Sequence, residues 1–201
     1  MGLISTLNYT PRVTWLACCG FNTYSQFGED GLIEACLKKI GVTNRHCFEC
    51  GAADGRFFSN TLRLREMGWY AVLIEKDPVS FGKLVDEFGT ESSCLNEHVT
   101  DMDAVLRQTA IDERPDVGII DVDGQDWNLW DRMTVYRPRV LVIETFAADR
   151  DPDAPVPALD DEIGQAGINP ICELGDHKGY ELVATTYVNA LFIDRDVLKH
   201  V

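Results

Sequence analysis

From residue 26 onward, apolar positions follow two alternating periods. Between Gln26 and Ile40 the residues Phe27, Leu32, Ile33, Cys36, Leu37 and Ile40 recur at helical spacing, and Gly41 stops the run. His46–Cys50 predicts a short strand, Thr61–Met67 a helix ended by Gly68, and Tyr70–Ile74 a second strand. Pro78 opens a helix to about Phe88, followed by a strand at Cys94–Val99 and a helix at Asp103–Thr109. Val117–Ile120 and Val140–Ile143 predict strands on either side of a helix at Asp126–Met133. After an acid- and proline-rich loop at Asp149–Pro157, Ile171–Lys178 predicts a helix. Glu181–Tyr187 and Ala190–Ile193 then predict strands joined at Val188-Asn189. Nearly continuous apolar strands alternating with helices imply an α/β fold, a mostly parallel sheet covered on both faces and closed by an antiparallel C-terminal hairpin. Residues 1–24 predict an N-terminal extension, and residues 25–201 one domain.

Composition narrows the partners. The 201 residues are 45% hydrophobic and 25% charged, ordinary for a globular chain, but the net charge is −15. Binding nucleic acid, or docking stably on anionic lipid, needs clustered cations and is not expected. The sequence does not predict an oligomeric state. Seven cysteines without a paired framework imply reduced thiols and a cytoplasmic setting. Cys47-Phe48-Glu49-Cys50 has C-x-x-C spacing, yet it lies on a predicted strand without a second pair, so neither zinc nor a redox role is expected. No stretch is long enough to span a membrane, and no secretory signal is seen. Met1-Gly2-Leu3-Ile4-Ser5-Thr6 matches the short myristoylation pattern without a second membrane signal.

In open α/β sheets, ligands bind beyond the carboxyl ends of the strands. There the sequence sets Glu49, Gly51, Ala52, Asp54 and Gly55 after the first strand, and Glu75, Lys76 and Asp77 after the second. Val99, Thr100 and Asp101 follow the third, Asp121 and Asp123 the fourth, and Glu144 the fifth. The first turn, E-C-G-A-A-D-G, lacks the three-glycine spacing of a pyrophosphate site, and its two carboxylates would repel a diphosphate. Glu75 stands where a carboxylate accepts ribose hydroxyls. Together these features suggest a nucleoside cofactor without pyrophosphate, and S-adenosylmethionine fits.

The chain resembles the S-adenosylmethionine-dependent methyltransferases of the FkbM type. The resemblance rests on SQFGEDGLIEACLKKIG, FECGAADGRFFSNT, GWYAVLIEKDP, GIIDVDGQDWNLW, RPRVLVIE and GYELVATTYVNALFI, in order from Ser25 to Ile193. It implies a Rossmann-like class I methyltransferase fold of seven strands, the last antiparallel. It also implies methylation of a hydroxyl on a small-molecule or sugar-like acceptor. On this resemblance Gly51 and Gly55 admit the methionine part, Glu49 or Asp54 faces its amino group, and Glu75 holds the ribose. Val99 to Asp101 border the adenine, Asp121 lies near the methionine end, and Ser59, Asn60, Ser25 and Gln26 stand beside the pocket. The chain departs from the family at Thr145-Phe146, where an asparagine is common, and at DEIGQAGINPICEL, so the acceptor side is the least constrained.

Asp123 and Glu144 end neighbouring strands and are candidate bases, or together candidate ligands of a divalent cation. Equally, Asp123 can be a turn or cap residue and Glu144 a partner of a backbone N–H. No dedicated metal site is expected. Of the four histidines, His177 is the candidate base, whereas His46 and His98 are expected to be structural. Trp127 and Trp130 suggest packing, and Phe57-Phe58 a roof over the cofactor or plain packing. VGIIDVDGQD also resembles the first motif of haloacid-dehalogenase-like phosphatases, with Asp121 as nucleophile and Asp123 as acid/base beside Mg²⁺. That motif usually lies near the chain start and continues with Thr, where this chain has Gln125. A non-catalytic nucleoside-binding or scaffold protein of the same fold is the other alternative.

Overall fold

A computed structural model describes residues 15–16, 18–145, 150–159, 161 and 164–200. The myristoylation match and most of the 1–24 extension lie outside the described residues.

The described elements are α1 (Glu29–Ile40), β1 (His46–Cys50), α2 (Leu62–Glu66), β2 (Tyr70–Glu75), α3 (Pro78–Phe88), β3 (Ser93–Asn96) and α4 (Met102–Leu106). They continue with β4 (Val117–Ile120), α5 (Asp126–Arg132), β5 (Val140–Glu144), α6 (Ile168–His177), β6 (Tyr180–Thr185), β7 (Asn189–Asp194) and α7 (Arg195–Leu198). The sheet has seven strands in the order β3-β2-β1-β4-β5-β7-β6. Every pairing among β1 to β5 is parallel, whereas β7 runs antiparallel to both β5 and β6. The hairpin therefore folds back into the sheet: β7 enters between β5 and β6, which leaves β6 as the edge.

Alternation along the strands sends side chains to two cores. Phe48, Ile74, Ile120, Ile143 and Phe192 meet α4, α5 and α6 on one face. Cys47, Leu73, Ile119, Val142 and Leu191 meet α1, α2 and α3 on the other. Both faces are covered, which is why the central strands carry almost no polar residue before their last position. Cys47 and Cys50 point to opposite faces, so they cannot pair, and burial pushes both thiols above their ordinary range.

Several boundaries differ from the sequence expectation for local reasons. Gly28 takes a left-handed φ of 104°, so α1 starts at Glu29 rather than near Gln26. Asn96 turns its side-chain amide onto the Glu75 and Lys76 carbonyls, and β3 stops there instead of reaching Val99. α6 begins at Ile168, ahead of the expected Ile171, because Pro170 falls in its first turn, where no N–H is needed.

Many of the acids organise loops. Asp116, fully buried, accepts the backbone N–H groups of Thr43, Asn44 and Arg45 and pairs with Arg139 at 2.6 Å. Asp103 accepts from Thr134, Val135 and Tyr136, and Asp30 from Thr23, Tyr24 and Ser25. Each carboxylate replaces water for backbone donors that would otherwise be buried unpaired. A net charge of −15 thus coexists with buried carboxylates that are spent on loop backbone.

Candidate active site at the switch point

β1 pairs with β2 on one side and β4 on the other, and the chain direction of the crossovers reverses between β1 and β4. The backbone here is crowded. Gly51 has a φ of 89°, and a Cβ built on it would sit 1.6 Å from the Asp121 carbonyl oxygen. At Gly55, with a φ of 76°, a Cβ would meet Leu84 at 2.6 Å and Phe88 at 2.8 Å. Both glycines are therefore required by the protein's own packing, Gly51 against β4 and Gly55 against α3. Ala53 and Asp123, which line one cavity, also take positive φ, as does Phe58.

That cavity measures about 310 Å³ and opens at the carboxyl ends of β1, β2 and β4. Gly51, Glu75, Lys76, Asp121 and Asp123 line it, as the sequence suggested. Ala53, Asp77, Glu97, His98 and Gln125 line it as well. Glu75 is held firmly: Oε2 accepts the Ala53 N–H at 2.8 Å and Oε1 the Asp77 N–H at 2.6 Å. Each oxygen keeps a further lone pair for a ligand hydroxyl. Lys76 is the sole cation in a lining that holds five carboxylates, Glu75, Asp77, Glu97, Asp121 and Asp123.

Other candidates are placed elsewhere. Glu49 does not line the cavity; its buried carboxylate accepts Ser59 Oγ at 2.8 Å, Asn60 N–H at 2.8 Å and Thr61 Oγ1 at 2.5 Å. Ser59 and Asn60 are thus Glu49's partners, although the buried Asn60 Oδ1 keeps no partner of its own. Asp54 caps the N–H groups of Arg56 and Phe57, and these bonds hold its carboxyl below the ordinary range. Ala52 is buried and donates its N–H to the Ile74 carbonyl. With β3 ended early, the cavity wall is Glu97-His98-Val99, while Asp101 caps α4 through Ala104 N–H and Thr100 is exposed beside it. His98 therefore lines the cavity, against the structural role expected for it.

His177 does not reach this cavity. It ends α6 just before Tyr180, whose partner Asp194 lies next to Ile193, the partner of the first β5 residue, Val140. It thus sits at the opposite end of the strands from Glu144, in a separate depression of about 370 Å³ with Trp130 and Arg137. The helical pattern placed His177 before the last strands but could not show which end of the sheet that position occupies.

The second half of the site is a knot of acids beyond β4 and β5. Asp126, buried at the start of α5, accepts the N–H groups of Val122 at 2.9 Å and Gly124 at 3.0 Å and so shapes the D-V-D-G turn. Gln165 donates one amide to Glu144 Oε2 at 3.0 Å and to Asp126 Oδ2 at 3.3 Å. Its segment is tied down where Thr145 Oγ1 donates to the Ala166 carbonyl and Gln125 to the Ala158 carbonyl. Gln165 was not a sequence candidate, because a lone glutamine in a loop carries no periodic or motif signal. Among the described residues, no three His, Cys, Asp or Glu side chains are arranged to hold a metal ion.

Burial and crowding raise the proton affinity of this knot. Asp121 is pushed well above its ordinary range by burial and by Glu144, Asp126 and Asp123. Burial raises Glu144 too, with Asp123 adding, although hydrogen bonding to Gln165 pulls the other way. Burial, then Glu144, lifts Asp126 to about 7. These groups hold protons in the folded state that the unfolded chain releases near pH 4. Their contribution is full below the unfolded pKa and is lost as pH rises toward 7. Asp103 and Asp116 behave oppositely. Burial would raise them, but their hydrogen bonds outweigh it, so that contribution is lost only in acid. The melting temperature is therefore expected to peak near pH 5 and to fall toward pH 8. A melting temperature that climbs steadily from pH 5 to 8 in calorimetry would show that the knot is ionised at no cost.

No family model matches the chain, and no curated protein matches it in sequence. Solved structures do match. One is a SAM-dependent methyltransferase from Aquifex aeolicus, 12% identical, covering 80% of this chain and 89% of its own, at a TM-score of 0.50. Another is a precorrin methyltransferase from Geobacter metallireducens, 12% identical over 87% of this chain and 92% of its own, TM-score 0.51. TehB from Haemophilus influenzae is 15% identical over 82% of this chain and 62% of its own, TM-score 0.52. With the strand order and the inserted antiparallel β7, these likenesses establish the Rossmann-like class I methyltransferase fold.

Proposed function

We propose that this protein is an S-adenosylmethionine-dependent methyltransferase of the FkbM type, methylating a hydroxyl on a small-molecule acceptor in the cytoplasm. The observation that carries this reading is the composition of the switch-point cavity. Its carboxylate-rich lining suits a positively charged nucleoside and repels phosphates, and Glu75 offers two anchored oxygens to a ribose. S-adenosylmethionine, when bound, supplies a sulfonium methyl group open to in-line displacement.

The chain's own residues would do the rest. Glu75 orients the nucleoside, and Glu97-His98-Val99 flank it. Asp121 faces the cavity from the end of β4, and its carboxyl, held protonated by burial, offers a hydrogen bond toward the methionine end. Glu144, steadied by Gln165, receives the proton of the acceptor hydroxyl; Asp123 is the alternative base.

Glu75→Ala is expected to weaken S-adenosylmethionine binding by about 1–3 kcal/mol in isothermal titration, the cost of ribose hydroxyls left unpaired. An affinity equal to wild type would remove the ribose role. Wild-type protein that binds no S-adenosylmethionine at all would remove the whole reading, whereas binding without methyl release on any acceptor would favour the scaffold alternative.

A further inference from the structure

We propose that the depression around Arg137, His177 and Lys178, at the amino ends of the parallel strands, is a second ligand site, and that it takes a small molecule carrying a phosphate monoester. The inference goes beyond the methyltransferase reading and does not depend on it, because this depression and the switch-point cavity share no residue.

The depression measures about 370 Å³, within the range of about 300–1,000 Å³ usual for small-molecule pockets. It lies between the carboxyl ends of α5 and α6, which supply Trp130, Asp131 and His177, and the start of β6 at Tyr180. Its charge is the reverse of the cavity's. The chain has 18 Lys and Arg against 33 Asp and Glu, yet here Arg137, Lys178 and His177 stand against one lining acid, Asp131. Behind them the fully buried Asp194 is shared by Arg137 at 2.8 Å and Arg114 at 2.7 Å, one carboxylate for two guanidinium groups.

Holding the fold together uses only part of these donors. Arg137 gives Nε and Nη2 to Asp194 and one Nη1 hydrogen to the Lys178 carbonyl at 2.7 Å. Lys178 Nζ donates to the Asp131 and Met133 carbonyls at 3.0 and 2.8 Å, closing the carboxyl end of α5. One Nη1 hydrogen of Arg137 and one Nζ hydrogen of Lys178 are left over. The His177 side chain is exposed and has no hydrogen-bond partner among the described residues. In the floor, the buried Trp130 indole N–H also lacks an acceptor among them. Burial first, and the Arg137 charge as well, lower the proton affinity of Lys178, although Asp131 pulls it upward. A bound anion favours its charged form.

The surplus is of donors and positive charge, which selects an anion. The arrangement also selects its shape. A carboxylate is held best by both arms of a guanidinium, and Arg137 already gives that fork to Asp194. What remains is one N–H on each of three side chains, which fits the three terminal oxygens of a phosphate monoester. Met133 and Tyr136 in the lining offer apolar surface to its organic part.

The test titrates the full chain with phenyl phosphate, followed by 1H–15N NMR and calorimetry, with inorganic phosphate and benzoate as comparisons. Phenyl phosphate is expected to bind more tightly than either. It should shift the amides of His177 to Gly179 and the Trp130 indole, and leave those of Gly51 to Ala53 in place. His177→Ala and Lys178→Gln should each weaken binding by about tenfold, the loss of one charge-assisted hydrogen bond. Lys39→Gln, which removes an exposed cation on α1, should bind as wild type does. No binding, binding no tighter than that of benzoate or inorganic phosphate, or shifts confined to the Gly51 turn would overturn the site. So would unchanged affinity in both variants, or an equal loss in Lys39→Gln.

Discussion

Gly51→Ala is expected to destabilise the fold by about 4 kcal/mol or more, or to prevent folding altogether. Two effects add. A φ of 89° strains any L residue, and the new Cβ would lie 1.6 Å from the Asp121 carbonyl oxygen. That oxygen cannot simply withdraw, because the Asp121 N–H is bonded to the Cys50 carbonyl at 3.0 Å in the β1–β4 pairing. Relief would require the two central strands to separate at the edge where the cavity opens. Gly41→Ala is the control. Its φ of 75° and ψ of 154° also favour glycine, but nothing lies within 4 Å of the added Cβ, so it should cost only the conformational term of about 1–3 kcal/mol. Urea unfolding followed by circular dichroism compares the two. Equal destabilisation would mean that the approach of Asp121 to Gly51 does not constrain the fold.

The second large effect concerns turnover. If Glu144 takes the acceptor proton, Glu144→Gln should lower methyl transfer by about 10²–10⁴-fold. The affinity for S-adenosylmethionine should stay within about threefold, since no cofactor contact is lost. The amide keeps the size of the side chain and one acceptor for Gln165, so the knot should survive. Wild-type turnover should rise with pH through the raised pKa of Glu144, because the base must be ionised, and the variant should lose that dependence. Single-turnover methyl release, measured alongside titration calorimetry, separates the two quantities. A variant that turns over at the wild-type rate would transfer the base role to Asp123.

Much of this architecture was legible in the chain. The strands β1, β2, β4 and β5 appear as apolar runs, and every parallel strand but β3 ends close to where its pattern breaks. Glu75 was recognisable because its distance from the glycine turn is set by one β-α-β unit. The acids at the strand ends were equally visible, but their roles were not. Glu49 and Asp126 have the same residue types as Glu75 and Asp123 and lie within a few residues of a strand end. The first two nonetheless turn inward to satisfy backbone donors, and the latter two line the cavity. Gly51 and Gly55 likewise signalled a special backbone, yet the groups crowding them are Asp121, Leu84 and Phe88.

By itself, the sequence determined the element order, the parallel character of the sheet and the end of the strands where a ligand must bind. These follow from short-range periodicity and from the chirality of strand-to-helix crossovers, which act within a few tens of residues. Only the tertiary structure decided that β7 inserts between β5 and β6, that His177 lies at the far end of the strands, and that Gln165 joins Glu144 to Asp126. It alone also brought Phe27 beside Tyr187. The reason is that a carboxylate's work depends on which donors and charges reach it, and here those partners come from distant segments. Their meeting is set by the packing of α1 and the loop before α6 onto the finished sheet.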